Sequence, residues 1–121
     1  MKKILYVEDE TDQVLMMETR LSASGYECLT AADGEQGYQI ACARNPDLII
    51  LDLLMPKMNG YELAYSLKQN EATKNIPVIV VTASGAKALE KKCLDLGVNE
   101  IIHKPYRSDY LTERIAHYIG S

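Results

Sequence analysis

The chain has 121 residues, 47% of them hydrophobic and 25% charged, a balance that fits one globular domain with a real core. Its formal charge of −4 argues against non-specific nucleic-acid binding, and no apolar run approaches the roughly 20 residues that span a bilayer. Met1-Lys2-Lys3 leads straight into a strand pattern with no signal-peptide layout, and Cys28, Cys42 and Cys93 are odd in number and scattered, as reduced, half-buried fillers of a cytoplasmic protein would be.

Taken in chain order, apolar runs alternate with helix-period segments five times. The first strand is expected at 3–7, from Ile4-Leu5-Tyr6-Val7, and the first helix at 12–24. Val14, Met17 and Leu21 line one face of that helix, with Gly25 placed for a left-handed cap. A second strand at 27–31 precedes a helix at 34–44, where Asp33 and Gln36 have capping-box spacing and Pro46 forbids extension. The third strand is expected at 48–52 and its helix at 59–70, started by Asn59-Gly60. The fourth strand falls at 77–82 and its helix at 86–96, with Leu89, Cys93 and Leu96 on one face and Gly97 terminating it. The last pair is a strand at 100–103 and a helix at 108–119, capped by Ser108 and striped by Leu111, Ile115 and Tyr118.

Burial predicts the sheet order. The first, third and fourth strands are continuously apolar, as strands covered on both faces should be. Glu27-Cys28-Leu29-Thr30 and Glu100-Ile101-Ile102-His103 are more polar and suit the edges. The order 2-1-3-4-5 follows. It is the flavodoxin-like, doubly wound α/β arrangement, a parallel sheet with helices on both faces and residues 1–121 forming a single domain.

Reactive residues then collect at one edge. Glu8 and Asp9 follow the first strand, Asp52 ends the third, Thr82 ends the fourth and Lys104 follows the fifth. The first half of the chain is also the acidic half, with ten acids against five bases in residues 1–60 and seven against eight in 61–121. Carboxylates crowded together repel, and a hard divalent cation relieves them. Mg²⁺ suits such a set, with Asp9 and Asp52 binding directly, Glu8 acting through water, and the Leu54 backbone carbonyl as a further ligand. An aspartate so placed can attack phosphorus, while the metal, the Lys104 ammonium and the Thr82 hydroxyl compensate the developing charge.

These residues lie in Val7-Glu8-Asp9-Glu10, Leu51-Asp52-Leu53-Leu54-Met55-Pro56 with Asn59-Gly60, Val81-Thr82-Ala83, and Lys104-Pro105-Tyr106. With four such segments in this order, each at a strand end, the whole chain resembles the receiver (CheY-like) domain of two-component response regulators. The resemblance implies a phosphorylation-dependent signalling switch with no activity on other substrates. A histidine kinase or phosphotransfer protein would donate a phosphoryl group to Asp52. Thr82 would move toward that group and Lys104 would pair with it. The face of the fourth helix, fifth strand and fifth helix would be remodelled for a downstream protein, as a monomer or a phosphorylation-dependent dimer. The resemblance also implies a cis Lys104–Pro105 peptide.

The chain departs from the family's pattern at Ile101, where an aromatic residue is common, and carries Leu54 and Ser84 at positions that tune hydrolysis. Apolar Leu54 is expected to shield an acyl phosphate from water. His103 is expected to face solvent, Met16, Met17, Met55 and Met58 to fill the core and loops, and Lys87, Lys91 and Lys92 to form a solvated face or a docking surface. Two rivals stay open: a pseudo-receiver that binds partners without phosphorylation, and an aspartyl-nucleophile phosphatase. The second is disfavoured because such enzymes place an Asp-x-Asp pair after the first strand, where this chain has Glu8-Asp9-Glu10.

Overall fold

A computed structural model of the chain describes residues 1–55, 58–83 and 85–120; Pro56 and Ser84, both singled out in the sequence, lie outside the described residues. Five strands and five helices alternate: β1 (Lys3–Val7), α1 (Thr11–Ala23), β2 (Glu27–Ala31), α2 (Gly34–Arg44), β3 (Leu48–Leu51), α3 (Gly60–Gln69), β4 (Val78–Thr82), α4 (Lys87–Leu96), β5 (Glu100–His103) and α5 (Ser108–Ile119). All strand pairings are parallel. The order is β2-β1-β3-β4-β5, as the burial pattern predicts.

The strands explain the order physically. Each of the four β3 residues Leu48–Leu51 is fully buried, and burying one large apolar side chain contributes about 1.5–3 kcal/mol. Such a run is stable only in the centre. Because side chains alternate across a strand, β1 splits between two cores. Leu5 and Val7 join Leu63, Leu67 and Cys93 of α3 and α4 on one face. Ile4 and Tyr6 join Met17, Leu21, Leu111 and Ile115 of α1 and α5 on the other. Among the described residues, no helix is long and apolar enough to cross a membrane.

Helix ends follow local chemistry. Gly25 and Gly97 adopt positive φ just past α1 and α4, where a side chain would be strained. Asn59 caps α3 in a full capping box with Glu62. At α2 the Asp33 carboxylate accepts from the Gln36 amide at 2.8 Å, but Gln36 Oε1 reaches past the cap to the Ala32 amide at 2.7 Å. The fifth helix departs from expectation. Arg107 occupies its N-cap and Ser108 is its first helical residue, so the Ser108 hydroxyl sits a position too late to cap.

Other fillers are also redistributed. Cys93 is buried and Cys28 intermediate, but Cys42 is exposed. Burial, aided by the Glu18 charge, pushes the Cys28 thiol up to about 11. Met17 is core, whereas Met16 projects from α1 into solvent. A helix carrying two adjacent methionines can bury only one of them on a single face.

Gly60 ties the fold to the edge where Asp52 sits. A β-carbon there would strike the Asp52 carbonyl oxygen and approach Leu53 Cα at 2.6 Å, and both are backbone atoms that cannot yield cheaply. Gly60→Ala is expected to destabilise the domain by about 1–3 kcal/mol through overpacking, measured as a lower urea midpoint with an unchanged slope.

Candidate functional site

Register assembles the site before any side chain is considered. Val7 pairs with Leu51 across β1 and β3, so the next residues, Glu8 and Asp52, are neighbours at the carboxyl edge. Leu51 pairs with Val80, and Thr82 pairs with His103, which brings Thr82 and Lys104 to the same edge. The Lys104 amide donates to the Thr82 carbonyl at 2.9 Å, extending the ladder by one bond. The Lys104–Pro105 peptide is cis.

The Lys104 ammonium is the centre of the cluster. It donates to Asp52 Oδ2 at 3.0 Å, to Glu8 Oε1 at 3.5 Å and to Gln13 Oε1 at 2.7 Å. Asp52 Oδ1 accepts from the Leu54 amide at 3.1 Å. Glu8 is buried, with 4% of its surface exposed. It accepts from the Glu10 amide at 3.2 Å and from the Tyr6 hydroxyl at 3.4 Å. Asp9 is exposed, next to Glu8 in the chain, and its carboxyl adds to the effects that raise Glu8. Thr82 is fully buried, while Leu54 is 64% exposed.

Electrostatics follow from this crowding. Burial raises the Glu8 carboxyl above the usual carboxylate range, against the Glu10 amide and the Lys104 charge, which pull it back. Burial also works against the Lys104 ammonium, but its bond to Asp52 and the charges of Asp52 and Glu8 outweigh burial and raise its pKa. Burial, then the nearby Glu8 charge, pushes the Tyr6 hydroxyl far above its ordinary value, so Tyr6 serves as a neutral donor.

The donor set at this edge is oxygen throughout and suits a hard cation. Among the described residues, no group of three or more His, Cys, Asp or Glu side chains converges on one point. Instead, Glu8 and Asp52 meet on Lys104, with Asp9 outside them. Mg²⁺ takes one or two carboxylates and keeps several waters, so the residues present fit it without a closed protein cage.

Two contributors escape a reading of the sequence. Tyr6 reads as an ordinary core residue of β1, and Gln13 as a surface residue of α1. A polar side chain one turn before buried Met17, directly after the strand-end acids, is the signal for Gln13. His103 is exposed, as expected for an edge strand, but it is also paired, with Nε2 lying 2.9 Å from Glu90 Oε2 of α4. Lys91 pairs with Asp95 along the exposed face of α4.

The comparisons agree with this architecture. Residues 4–116 match the family model of the response regulator receiver domain, and the chain belongs to that family. It is 39% identical over 94% of its length to the phosphate regulon transcriptional regulatory protein PhoB of Pseudomonas aeruginosa, covering 50% of that relative. It is 41% identical to the probable transcriptional regulator ycf27 of Cyanophora paradoxa, covering 94% of this chain and 46% of that one. The chain thus spans about half the length of the curated relatives it matches. Among solved structures, the receiver domain of sensor histidine kinase PA1611 from Pseudomonas aeruginosa, with magnesium coordinated in its active-site cleft, superposes with a TM-score of 0.90 at 29% identity, covering 99% of this chain and 98% of that one. Chemotaxis protein CheY4 of Vibrio cholerae gives a TM-score of 0.90 at 27% identity, with 98% of each chain covered.

Removing the cation from this cluster has a calculable sign. Lys104 has a raised folded-state pKa, so its stabilisation is complete below the unfolded value and is lost only as pH rises through the higher folded one. Without it, Glu8 and Asp52 repel, and the Glu8 carboxyl loses the charge that pulls it back, so ionising Glu8 weakens the fold as pH rises. Lys104→Met in the presence of chelator is expected to lose about 1–3 kcal/mol near neutral pH. The deficit should shrink in acid as Glu8 protonates, which urea unfolding at neutral and acidic pH would measure.

Proposed function

We propose that the domain is a phosphorylation-dependent switch in which Asp52 accepts a phosphoryl group. The observation that carries this reading is the 3.0 Å contact between the Lys104 ammonium and Asp52, made at the carboxyl edge of the sheet beside buried Thr82. A lone carboxylate so near a strand end is costly unless it is paired. Pairing it with an ammonium offsets that cost and holds a carboxylate oxygen in place to act as a nucleophile.

Phosphoryl transfer needs positioning and charge compensation more than covalent assistance. An Asp52 oxygen attacks phosphorus in line with the leaving group, the donor's phosphorus–nitrogen bond breaks, and the departing imidazole keeps that electron pair and takes up a proton. The Leu54 amide and Lys104 hold the Asp52 carboxylate in one orientation. As the phosphoryl group joins Asp52, the Lys104 ammonium pairs with its oxygens and the Thr82 hydroxyl donates to one of them. Glu8, Asp9, Asp52 and the Leu54 carbonyl would hold Mg²⁺, which supplies neutralisation of phosphoryl charge when bound. Hydrolysis of the acyl phosphate by water restores Asp52, so the chemistry is self-directed.

The donor is a histidine kinase or a phosphotransfer protein, and residues 1–121 act as a single receiver domain in the cytoplasm. The output surface is the face formed by α4, β5 and α5, read by a downstream protein. Two curated relatives carry the name of transcriptional regulators, and a regulatory output of that kind supports the same reading. A pseudo-receiver would not need the Asp52–Lys104 pair at this edge.

Incubation with acetyl phosphate and Mg²⁺ is expected to add one phosphoryl mass, visible by intact-mass analysis. The gain should vanish in Asp52→Ala and with chelator; labelling that survives Asp52→Ala would overturn the assignment. Exposed Leu54 stands two residues beyond the acceptor, where it can fold over an acyl phosphate and keep water away. Leu54→Asn is therefore expected to lose its phosphoryl group several-fold faster, followed as decay of the labelled mass; an unchanged half-life would remove the shielding role.

A further inference from the structure

We infer that Gln13 is a positioning residue for Lys104, fixing from α1 the ammonium that serves the proposed reaction at Asp52. The consequence for labelling rests on the phosphoacceptor reading; the anchoring of Lys104 does not.

An ammonium has three protons and no other hydrogen-bonding capacity. The three acceptors around Lys104 Nζ match that number: Gln13 Oε1 at 2.7 Å, Asp52 Oδ2 at 3.0 Å and Glu8 Oε1 at 3.5 Å. They come from three separate places, α1 and the segments just after β1 and β3, so together they fix a point in space and not merely a direction. The shortest bond goes to the neutral acceptor. Its partners lie 91 positions apart in sequence, and it links α1 to the segment after β5, across the groove lined by Tyr6, Met17, Arg20 and Tyr106.

Neutrality gives Gln13 a task that neither carboxylate can perform. A lysine stem is flexible, and its head goes wherever charge draws it. Glu8 and Asp52 also stand where a cation or a phosphoryl group would arrive, so their hold on Lys104 changes when either is present. Gln13 stands outside that exchange. Its carbonyl keeps one proton of the ammonium engaged whatever happens at Asp52, and it adds no negative charge to repel a phosphoryl group. Lys104 then needs only to redirect its remaining protons. A lysine without this anchor must be drawn back and ordered at each turnover.

The test uses the full chain in three forms: wild type, Gln13→Leu and Gln13→Glu. Two readouts are taken, the ¹⁵N–¹H signal of the Lys104 ammonium without phosphoryl donor, and the rate of acetyl phosphate labelling with Mg²⁺. The ammonium signal is assigned by its loss in Lys104→Met. Gln13→Leu removes the acceptor at similar size, and is expected to broaden the ammonium signal by faster proton exchange and to slow labelling five- to tenfold. Gln13→Glu keeps an acceptor of the same reach, so the ammonium signal should persist; this also guards against a variant that simply folds poorly. Gln13→Leu with an unchanged ammonium signal, or with an altered signal but wild-type labelling, would overturn the inference. A wild-type chain that never labels would count against the phosphoacceptor reading instead, and the ammonium signal would still decide whether Gln13 anchors Lys104.

Discussion

The folded edge of this sheet depends on one buried electrostatic problem and its solution. Glu8 and Asp52 are forced together by the register of β1 and β3, and neither is fully solvated. Two such charges destabilise one another unless a cation stands between them. Lys104 fills that place, 96 residues from Glu8 and 52 from Asp52 in sequence. Because β5 must lie beyond β4 to deliver it, the strand order and the charge balance of the site are parts of one arrangement.

That coupling explains why the core is so apolar and the edge so polar. β3 and β4 are buried along their whole length, and no charge is carried until the strands end. The transition is abrupt: Leu51 is fully buried, while Asp52 reaches both an amide and an ammonium. Gly60 lets α3 press against the backbone just there, so Asp52 is held from behind by packing and from in front by hydrogen bonds. Rigidity of this kind keeps a reacting carboxylate in one orientation.

Much of this was legible in the residues. Continuous apolar runs can be buried only in the middle of a sheet, so strand order followed from composition. Strand ends in a parallel sheet share an edge, so Asp52, Thr82 and Lys104 could be placed there without coordinates. Contacts made by the flank of a helix were not legible. Gln13 sits beside the buried stripe of Val14, Met17 and Leu21, and a few degrees of rotation decide whether it meets water or Lys104. The same ambiguity hid the pairing of His103 with Glu90, since a polar residue on an edge strand reads as solvent-facing whether or not a neighbouring helix reaches it. The capping of α5 was misplaced by one residue because Ser108 can act as a cap or as a first-turn residue with equal local chemistry.

The helices are also held unequally. α1 buries Met17 and Leu21, α3 buries Leu63, Ala64 and Leu67, and α5 buries Leu111 and Ile115. Among the described residues of α4, Cys93 is the fully buried one. Leu89 and Leu96 add partly buried contacts to the same core, and the partly exposed His103–Glu90 pair ties the helix to β5, although solvent screens such contacts. With fewer fully buried side chains than α1, α3 or α5, α4 has less packing to break on local opening than those three helices. A perturbation at the neighbouring ends of β4 and β5 therefore meets less buried packing in α4 than in α5.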